Sequence, residues 1–292
     1  MIRVLFLGLV LYATCSFQVI ASEDRALFWR VDAAEATVYL FGSIHFADES
    51  FYPLRAEVEQ AFESSDTLVV EVDINSAESV ARFQSLMLAE GSYSGDETLK
   101  DHLSEKTYNE LQVYLKKLGV PAKLIEKQKP GIVVLTLAAL QAKRVGLQPE
   151  MGIDAHFLNN AKKRKKILAL ETMDEQLKIF LDIKDGDLLL RDSFYSLEIL
   201  ENEMATMIEA WKQGDEKAMN KQLFDDVLSE HSAFTSLYES LYFQRNINMT
   251  EAIKGYLNQK GKYFVVVGAG HLIGDKGIVQ LLTDAGYRVT RL

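Results

Sequence analysis

Two motifs of the form Gly-x-x-His follow apolar runs near opposite ends of the chain. They are Gly42 to His45 and Gly268 to His271. The chain has 5 histidines, and the other three have no glycine at that offset. Glycine lets the backbone turn sharply or approach a neighbour, so each motif can direct an imidazole into the crevice above a sheet. The pair therefore marks the first candidate for a reactive site.

A carboxylate interrupts a third apolar run, Leu68-Val-Val-Glu71-Val-Asp73. A buried carboxylate without a partner is costly, so we expect Glu71 to face a cation or a hydrogen-bond donor. Two imidazoles and one carboxylate are a common ligand set for a catalytic divalent metal with an open position for water. We therefore expect His45, Glu71 and His271 to share one site. The residues alone leave open whether this site binds a metal or performs metal-free acid–base chemistry.

Three further polar residues in the middle of the chain are candidates for the same site. Asp154 opens a helix, where it either caps backbone N–H groups or belongs to the site. Glu171 follows a short apolar run and could be a metal ligand, a general base or a salt-bridge partner. Arg245 could hold a carboxylate, a phosphate or a developing oxyanion. Its structural alternative is an ion pair with Glu171 or Asp154.

The elements that must position these residues follow from the hydrophobic pattern. Strand-like runs lie near both termini, and the run before Glu71 is continuously apolar. They predict strands at residues 27–31, 37–44, 67–73, 262–267 and 287–292. Helical periodicity dominates from about 76 to 260, apart from a short buried strand predicted at 166–170. Pro53 is predicted to start a helix. We expect an α/β (α+β) fold, with a central mixed sheet built from the N- and C-terminal segments and a large helical insertion. The cleft should lie between them.

The first 21 residues have the order of a secretory signal peptide. Arg3 supplies a positive charge, Val4 to Ile20 is almost wholly apolar, and Ala21 ends a small-residue cleavage site. An uncleaved anchor is the alternative, because the apolar run is near the lower limit for a membrane span. We expect cleavage, since the run ends at a small residue and not at a basic cluster. A single domain over residues 22–292, without a membrane span, should remain.

Composition excludes several other functions. A formal net charge of -10 argues against nucleic-acid binding. The basic run from Lys162 to Lys166 is interpreted as the solvated end of a helix. Cys15 is the single cysteine and would leave with the signal peptide, so disulfides and thiol chemistry are not expected. The glycine-rich turn from Gly268 to Gly274 is similar to a dinucleotide-binding turn, but too little chain follows it for a complete βαβ unit.

In their order and spacing, these motifs together resemble the TraB/GumN family, which is similar to the pheromone-shutdown protein PrgY and to the Tiki proteases of animals. The resemblance covers nearly all of the chain beyond the signal peptide. The segments that carry it are Phe28-Trp-Arg-Val31, Leu40-Phe-Gly-Ser-Ile-His45, Val70-Glu-Val-Asp73, Met151-Gly-Ile-Asp154, Leu170-Glu-Thr172, Arg245-Asn246 and Gly268-Ala-Gly-His-Leu-Ile-Gly274.

The resemblance implies a metal-dependent peptidase. Tiki-like members use two Gly-x-x-His motifs and an acidic residue, with manganese or cobalt favoured, and the matching positions here are His45, His271 and Glu71. GumN-like members of Gram-negative bacteria mostly carry signal peptides, which implies a periplasmic location. The wider fold is similar to the erythromycin-esterase and ChaN-like group, which implies an esterase or a ligand-binding role as an alternative.

Our expectation is therefore a periplasmic metal-dependent hydrolase that cleaves peptide bonds, with Mn²⁺, Co²⁺ or Zn²⁺ as its cofactor. Glu171 or Asp154 would orient water or a ligand histidine, and Glu71, Glu171 and Arg245 would serve catalysis. Arg245 and Asn246, with Asp154, would hold the substrate or the oxyanion. The alternative is a protein of the cell envelope that sequesters a peptide or a small ligand without turning it over.

Overall fold

A computed structural model describes residues 26–292, apart from the side chains of residues 199–204. The predicted signal peptide, residues 1–21, lies outside the described residues. The strands form a six-stranded sheet in the order β4-β3-β5-β2-β1-β6. They are β1 (Phe28–Asp32), β2 (Ala36–Ser43), β3 (Thr67–Val70), β4 (Lys166–Ala169), β5 (Gly261–Gly268) and β6 (Arg288–Arg291).

Helices fill most of the chain between β3 and β5, as the periodicity predicts. The helices of the described residues are α1 (Ala56–Ser64), α2 (Ala77–Glu90), α3 (Glu105–Leu118), α4 (Pro130–Arg144), α5 (Ile153–Ala161), α6 (Met173–Leu181), α7 (Gly186–Gln213), α8 (Glu216–Asn220), α9 (Asp226–Glu230), α10 (Thr235–Tyr238), α11 (Gln244–Leu257), α12 (Ala269–Leu272) and α13 (Ile278–Asp284). Of these, α1 precedes β3, and α12 and α13 follow β5. Two π-helical turns, Lys221–Asp225 and Glu239–Phe243, join α8 to α9 and α10 to α11.

The sheet is mixed, and its parallel part aligns the ends of four strands. β2, β5, β3 and β4 run parallel, whereas β1 pairs antiparallel with both β2 and β6. Ser43 at the end of β2 pairs with Gly268 at the end of β5. Val70 pairs with Val266 and with Ala169. The chain therefore leaves all four strands at one edge of the sheet, which is where α/β proteins place their ligands.

The central strand β5 explains why this arrangement is stable. Phe264, Val265, Val266 and Val267 have no exposed surface, as expected for a parallel strand that is covered on both faces. The rings of Phe62 from α1 and Phe157 from α5 pack against Phe264 at 5.6 and 4.8 Å. Two smaller apolar clusters hold the inserted helices together around α4. The predicted fold class, a mixed sheet with a helical insertion, is confirmed.

Two local predictions were wrong. The helix predicted from Pro53 begins at Ala56, because Arg55 keeps an extended ψ of 141°. The strand at 166–170 exists as β4, but it is not buried: it lies at the edge of the sheet with β3 as its neighbour, so its residues are partly or fully exposed.

The basic run after α5 has a structural role in the fold. Lys165 donates hydrogen bonds to the carbonyls of Glu63 and Ser65 at 3.0 and 2.7 Å, and Arg164 pairs with the Glu63 carboxylate at 2.6 Å. These residues lie at the C-terminal end of α1, where cations are favourable. Separately, no helix within residues 26–292 is both long and apolar enough to cross a bilayer.

Candidate functional site

The three side chains expected to share a site converge on Gly268. The point where a Cβ atom of Gly268 would lie is 3.2 Å from Glu71 Oε1, 3.6 Å from His45 Nε2 and 3.6 Å from His271 Cδ2. Any larger residue at this position would fill the space that the three groups enclose. At the matching glycine, Gly42, an added Cβ would lie 2.9 Å from the Cβ of Leu27. The two glycines thus allow close packing at the ends of β2 and β5.

His45 is held by a carboxylate. Its Nδ1 lies 2.8 Å from Asp154 Oδ2, and Ser43 donates a 2.8 Å hydrogen bond to Asp154 Oδ1. Asp154 raises the pKa of His45 above its usual range, although the imidazole is 60% exposed and water therefore weakens the effect. When the ring is neutral, Nδ1–H donates to the carboxylate and the Nε2 lone pair faces the centre of the site.

His271 is held in the same way by an amide. Asn246 donates its Nδ2–H to the carbonyl of Lys276 at 2.9 Å, so its Oδ1 is the acceptor for His271 Nδ1–H at 2.5 Å. This hydrogen bond fixes the tautomer and leaves a lone pair on Nε2. Burial lowers the pKa of His271 to about 4. The ring is therefore neutral at neutral pH, and its Nε2 lies 3.8 Å from Glu71 Oε1.

Glu71 and Glu171 share one arginine. Arg245 Nη2 donates to Glu71 Oε2 at 2.8 Å and to Glu171 Oε2 at 2.7 Å, while Nε donates to Glu171 Oε1 at 2.7 Å. Gln176 bridges the same two carboxylates at 2.9 and 3.1 Å, and the Gly268 N–H donates to Glu71 Oε1 at 2.6 Å. All three charged side chains are nearly buried, with 15, 8 and 8% exposed.

The charge of Glu71 follows from these contacts. Burial alone raises the pKa of its carboxyl group, but His271, His45, Arg245 and the Gly268 N–H outweigh burial and lower the pKa to about 2. Glu71 is therefore ionised throughout the physiological range. Its Oε1 and the His271 Nε2 lone pair are two acceptors that face each other without a proton between them. A cation or a water molecule at this point would satisfy both groups.

The helices explain how the polar partners reach the site. Arg245 and Asn246 lie in the first turn of α11, which begins where the π-helical turn Glu239–Phe243 ends. Turns of this kind are often found at functional sites. Arg245 turns to the carboxylates and the adjacent Asn246 turns to His271. Gln176 lies on α6, whose start is fixed by the capping pair of Thr172 and Glu175.

The structure brings together all the residues that the sequence singled out: His45, Glu71, Asp154, Glu171, Arg245, Asn246 and His271. It also decides between the alternatives that the sequence left open for Asp154 and Arg245. Asp154 caps no helix, because α5 has no side-chain cap hydrogen bond, and its carboxylate instead holds His45. Arg245 is the ion-pair partner of Glu171, as its structural alternative proposed, and Glu71 is its second partner. The Nη1 of Arg245 is also engaged, by the carbonyl of Leu241 at 2.8 Å.

Sequence reasoning missed Ser43, Gln176 and Tyr242. Ser43 lies inside the first Gly-x-x-His motif, so its position was a usable signal. Gln176 carried none, since it lies five positions after Glu171 in a largely polar segment. Tyr242 places its ring 5.4 Å from the His271 ring, and helical periodicity alone does not show this contact.

The residues fit a divalent metal in donor type and orientation. Each imidazole uses Nδ1 for a protein hydrogen bond and directs Nε2 to the site, as metal-bound histidines do. The 3.8 Å between Glu71 Oε1 and His271 Nε2 matches two ligands with bonds of roughly 2.1 Å to one ion. Nevertheless, within residues 26–292 no three His, Cys, Asp or Glu side chains are drawn together closely enough to form a metal site. His45 is directed at the shared point without reaching ligand distance.

The comparison with known proteins identifies the class. The profile of the TraB/PrgY/gumN family matches residues 27–291, and the chain belongs to this family. An Escherichia coli K12 protein called YbaP, described as uncharacterized, is 27% identical over 250 residues, which cover 84% of this chain and 87% of that protein. An uncharacterized Treponema pallidum protein is 20% identical over 271 residues, 89% of this chain and 81% of its own length. No solved structure matches.

Proposed function

We propose that this protein is a metal-dependent hydrolase of the cell envelope that cleaves peptide bonds. The observation that carries the proposal is the pair of acceptors, Glu71 Oε1 and His271 Nε2, which face each other 3.8 Å apart with the His45 Nε2 directed at the same point. The resemblance of the two Gly-x-x-His motifs and Glu71 to the motifs of the Tiki proteases supports peptides as the substrate. A periplasmic location is supported by the predicted signal peptide.

His45, His271 and Glu71 would hold a Mn²⁺, Co²⁺ or Zn²⁺ ion. Such an ion lowers the pKa of a bound water molecule and polarises a carbonyl group. Asp154 and Asn246 keep the Nδ1 atoms of the two histidines occupied, so each ring presents Nε2 in a fixed orientation. The Gly268 N–H donates to Glu71 Oε1 and fixes its position.

Arg245 and Glu171 have a positioning role in this proposal. The Nε, Nη1 and Nη2 atoms of Arg245 donate to Glu71, Glu171 and Leu241. Both oxygens of Glu171 accept from Arg245, and Oε2 also accepts from Gln176. The pair therefore acts through Glu71, keeping its carboxylate ionised and pointed at the site. This revises the expectation that Arg245 binds substrate directly and that Glu171 serves as a base.

The proposal predicts metal binding that depends on the two histidines. Calorimetric titration of residues 22–292 with Mn²⁺, Co²⁺ and Zn²⁺ should show one ion per chain. The double substitution His45→Ala/His271→Ala should abolish this binding, because two of the three ligands are lost. His102→Ala is the matched control, since His102 packs on Tyr93 away from the site. Stoichiometric metal binding that survives in the double variant would exclude this site. Peptide cleavage by the wild-type protein should be sensitive to chelators.

A second prediction concerns the space at Gly268. Gly268→Ala should lower metal affinity tenfold or more, because the new methyl group would lie between Glu71 and the two histidines. The fold should tolerate the change at a cost of roughly 1–3 kcal/mol in unfolding free energy. The control is Gly255→Ala on α11, where an added Cβ has no neighbour within 4 Å. Unchanged metal affinity in Gly268→Ala would place the ion elsewhere.

Sequestration of a peptide or small ligand without turnover is the second candidate. It is favoured by one observation: within the described residues no three donors are gathered at metal-binding distance. A binding protein could use the same polar cleft without a metal. Screening a peptide library with and without chelator separates the two candidates, because tight binding without products supports sequestration and chelator-sensitive products support hydrolysis.

A further inference from the structure

A buried carboxylate outside the proposed metal site has an oxygen without a partner. Asp192 lies on α7 and is 7% exposed. Its side chain accepts a hydrogen bond from Tyr238, but Oδ1 is buried and receives no hydrogen bond from the described part of the protein. A buried acceptor of this kind lowers stability unless something fills it.

The carboxyl group of Asp192 is also charged at neutral pH. Burial raises the pKa of its carboxyl group to about 6, so the group is largely ionised at neutral pH. In the part of the chain that the structure describes, no salt bridge joins Asp192 to a cationic side chain. A buried anion without an ion-pair partner is a candidate for a ligand-binding role.

The surroundings of Asp192 are aromatic and lead to the proposed metal site. The ring of Tyr238 lies 5.6 Å from that of Tyr242, which lies 5.4 Å from the ring of His271. Tyr195 also lies near enough to influence Tyr238. Tyr195 and Tyr242 are partly exposed, so these two rings reach solvent, whereas Asp192 and Tyr238 lie buried beside them. We call Asp192, Tyr195, Tyr238 and Tyr242 the aromatic–acid cluster.

We propose that the aromatic–acid cluster is a subsite that binds a protonated amino group of the substrate and that Asp192 determines this specificity. The proposal rests on the proposed function, since it places a substrate amine beside the site at which a peptide would be cut. A carboxylate supplies the counter-charge, and the faces of tyrosine rings attract ammonium groups.

The single unpartnered oxygen of Asp192 also favours one kind of cation over others. A divalent metal ion needs several oxygen ligands, whereas the cluster supplies one carboxylate. A guanidinium group is best bound by both oxygens of a carboxylate, but Tyr238 occupies the other side of Asp192. An ammonium group is a compact charge with three donors and suits a single carboxylate oxygen. The amine can come from a peptide N-terminus or from a lysine side chain.

Binding of four short peptides tests the proposal and separates these two sources. The first pair is pentaalanine amide with a free and with an acetylated N-terminus. The second pair is acetyl-Ala-Ala-Lys-Ala-Ala-amide and its Nε-acetyl-lysine form. Dissociation constants are measured by calorimetry in chelator and again with Mn²⁺, using the wild-type protein, Asp192→Asn and Asp284→Asn. Asp284 is exposed, so its substitution makes the same charge change on the surface.

At least one amine-bearing peptide should bind the wild-type protein and Asp284→Asn roughly ten- to a hundredfold more tightly than its acetylated partner. Asp192→Asn should bind both members of that pair equally. Equal binding of both pairs to the wild-type protein, or a preference that persists in Asp192→Asn, would overturn the subsite. Asp192→Asn should retain metal binding, because it leaves the three proposed ligands intact. A preference that depends on Asp192 without metal binding or cleavage would keep the subsite and reject the hydrolase.

Discussion

Replacing Arg245 by methionine is expected to lower the free energy of unfolding by about 3–5 kcal/mol, which is the usual cost of removing one partner of a buried ion pair. The substitution would leave the carboxylates of Glu71 and Glu171, each 8% exposed, facing each other without a cation. Gln176 bridges both carboxylates but carries no charge. Urea denaturation of the metal-free protein at neutral pH measures the effect.

The chain offers a matched control at Arg82. This arginine makes two hydrogen bonds of 2.5 Å to Asp174, but the pair is exposed, with 47 and 35% of the two side chains accessible. Arg82→Met should therefore lower the free energy of unfolding far less than Arg245→Met does, because water already screens the exposed pair. Adding Glu171→Gln to Arg245→Met should recover part of the loss, because one unpaired charge is removed. Equal costs for Arg82→Met and Arg245→Met would show that burial does not govern this ion pair.

The second large effect is a loss of stability in acid that His271 causes. The pKa of His271 is about 4 in the folded protein and about 6.5 for an exposed histidine. Between these values the unfolded chain binds a proton that the folded protein does not, so stability falls as the pH drops from 6.5 to 4. The contribution of this residue should reach about 3 kcal/mol at pH 4. It is measured as unfolding free energy in chelator across this range.

Comparison with His271→Asn isolates this contribution. Glu71 acts at lower pH, since its pKa of about 2 means that its stabilisation is lost below about 4.5. Asp192 acts with the opposite sign, because its pKa is raised to about 6 and its ionisation costs stability as the pH rises. The difference between wild-type and His271→Asn removes the effect of Asp192. Because His271 itself lowers the pKa of Glu71, the difference is read above pH 4.5, where Glu71 does not titrate, and His102→Asn serves as the control. A difference that stays constant from pH 6.5 to 4.5 would contradict the buried, neutral state of His271.

Several features of this protein follow from the sequence alone. The Gly-x-x-His motifs and Glu71 follow apolar runs, and parallel strands that end at one edge of a sheet must bring such residues near each other. The continuous apolar run of β5 predicts a strand buried on both faces, because an exposed strand would alternate with polar residues. The helical insertion follows from periodicity. These are local patterns, which can be read from neighbouring residues without knowing which distant segments they contact.

Other features depend on contacts between residues far apart in the chain. Whether Asp154 caps a helix or holds His45 is decided by the packing of α5 beside the end of β2. Which carboxylate Arg245 binds is decided by β4 pairing with β3, since this register places Glu171 beside Glu71. Asp192 carries no sequence signal, because an acidic residue on a helix is ordinarily solvated. Burial, charge pairing and tautomer arise only where distant segments meet, so the tertiary structure alone determines them.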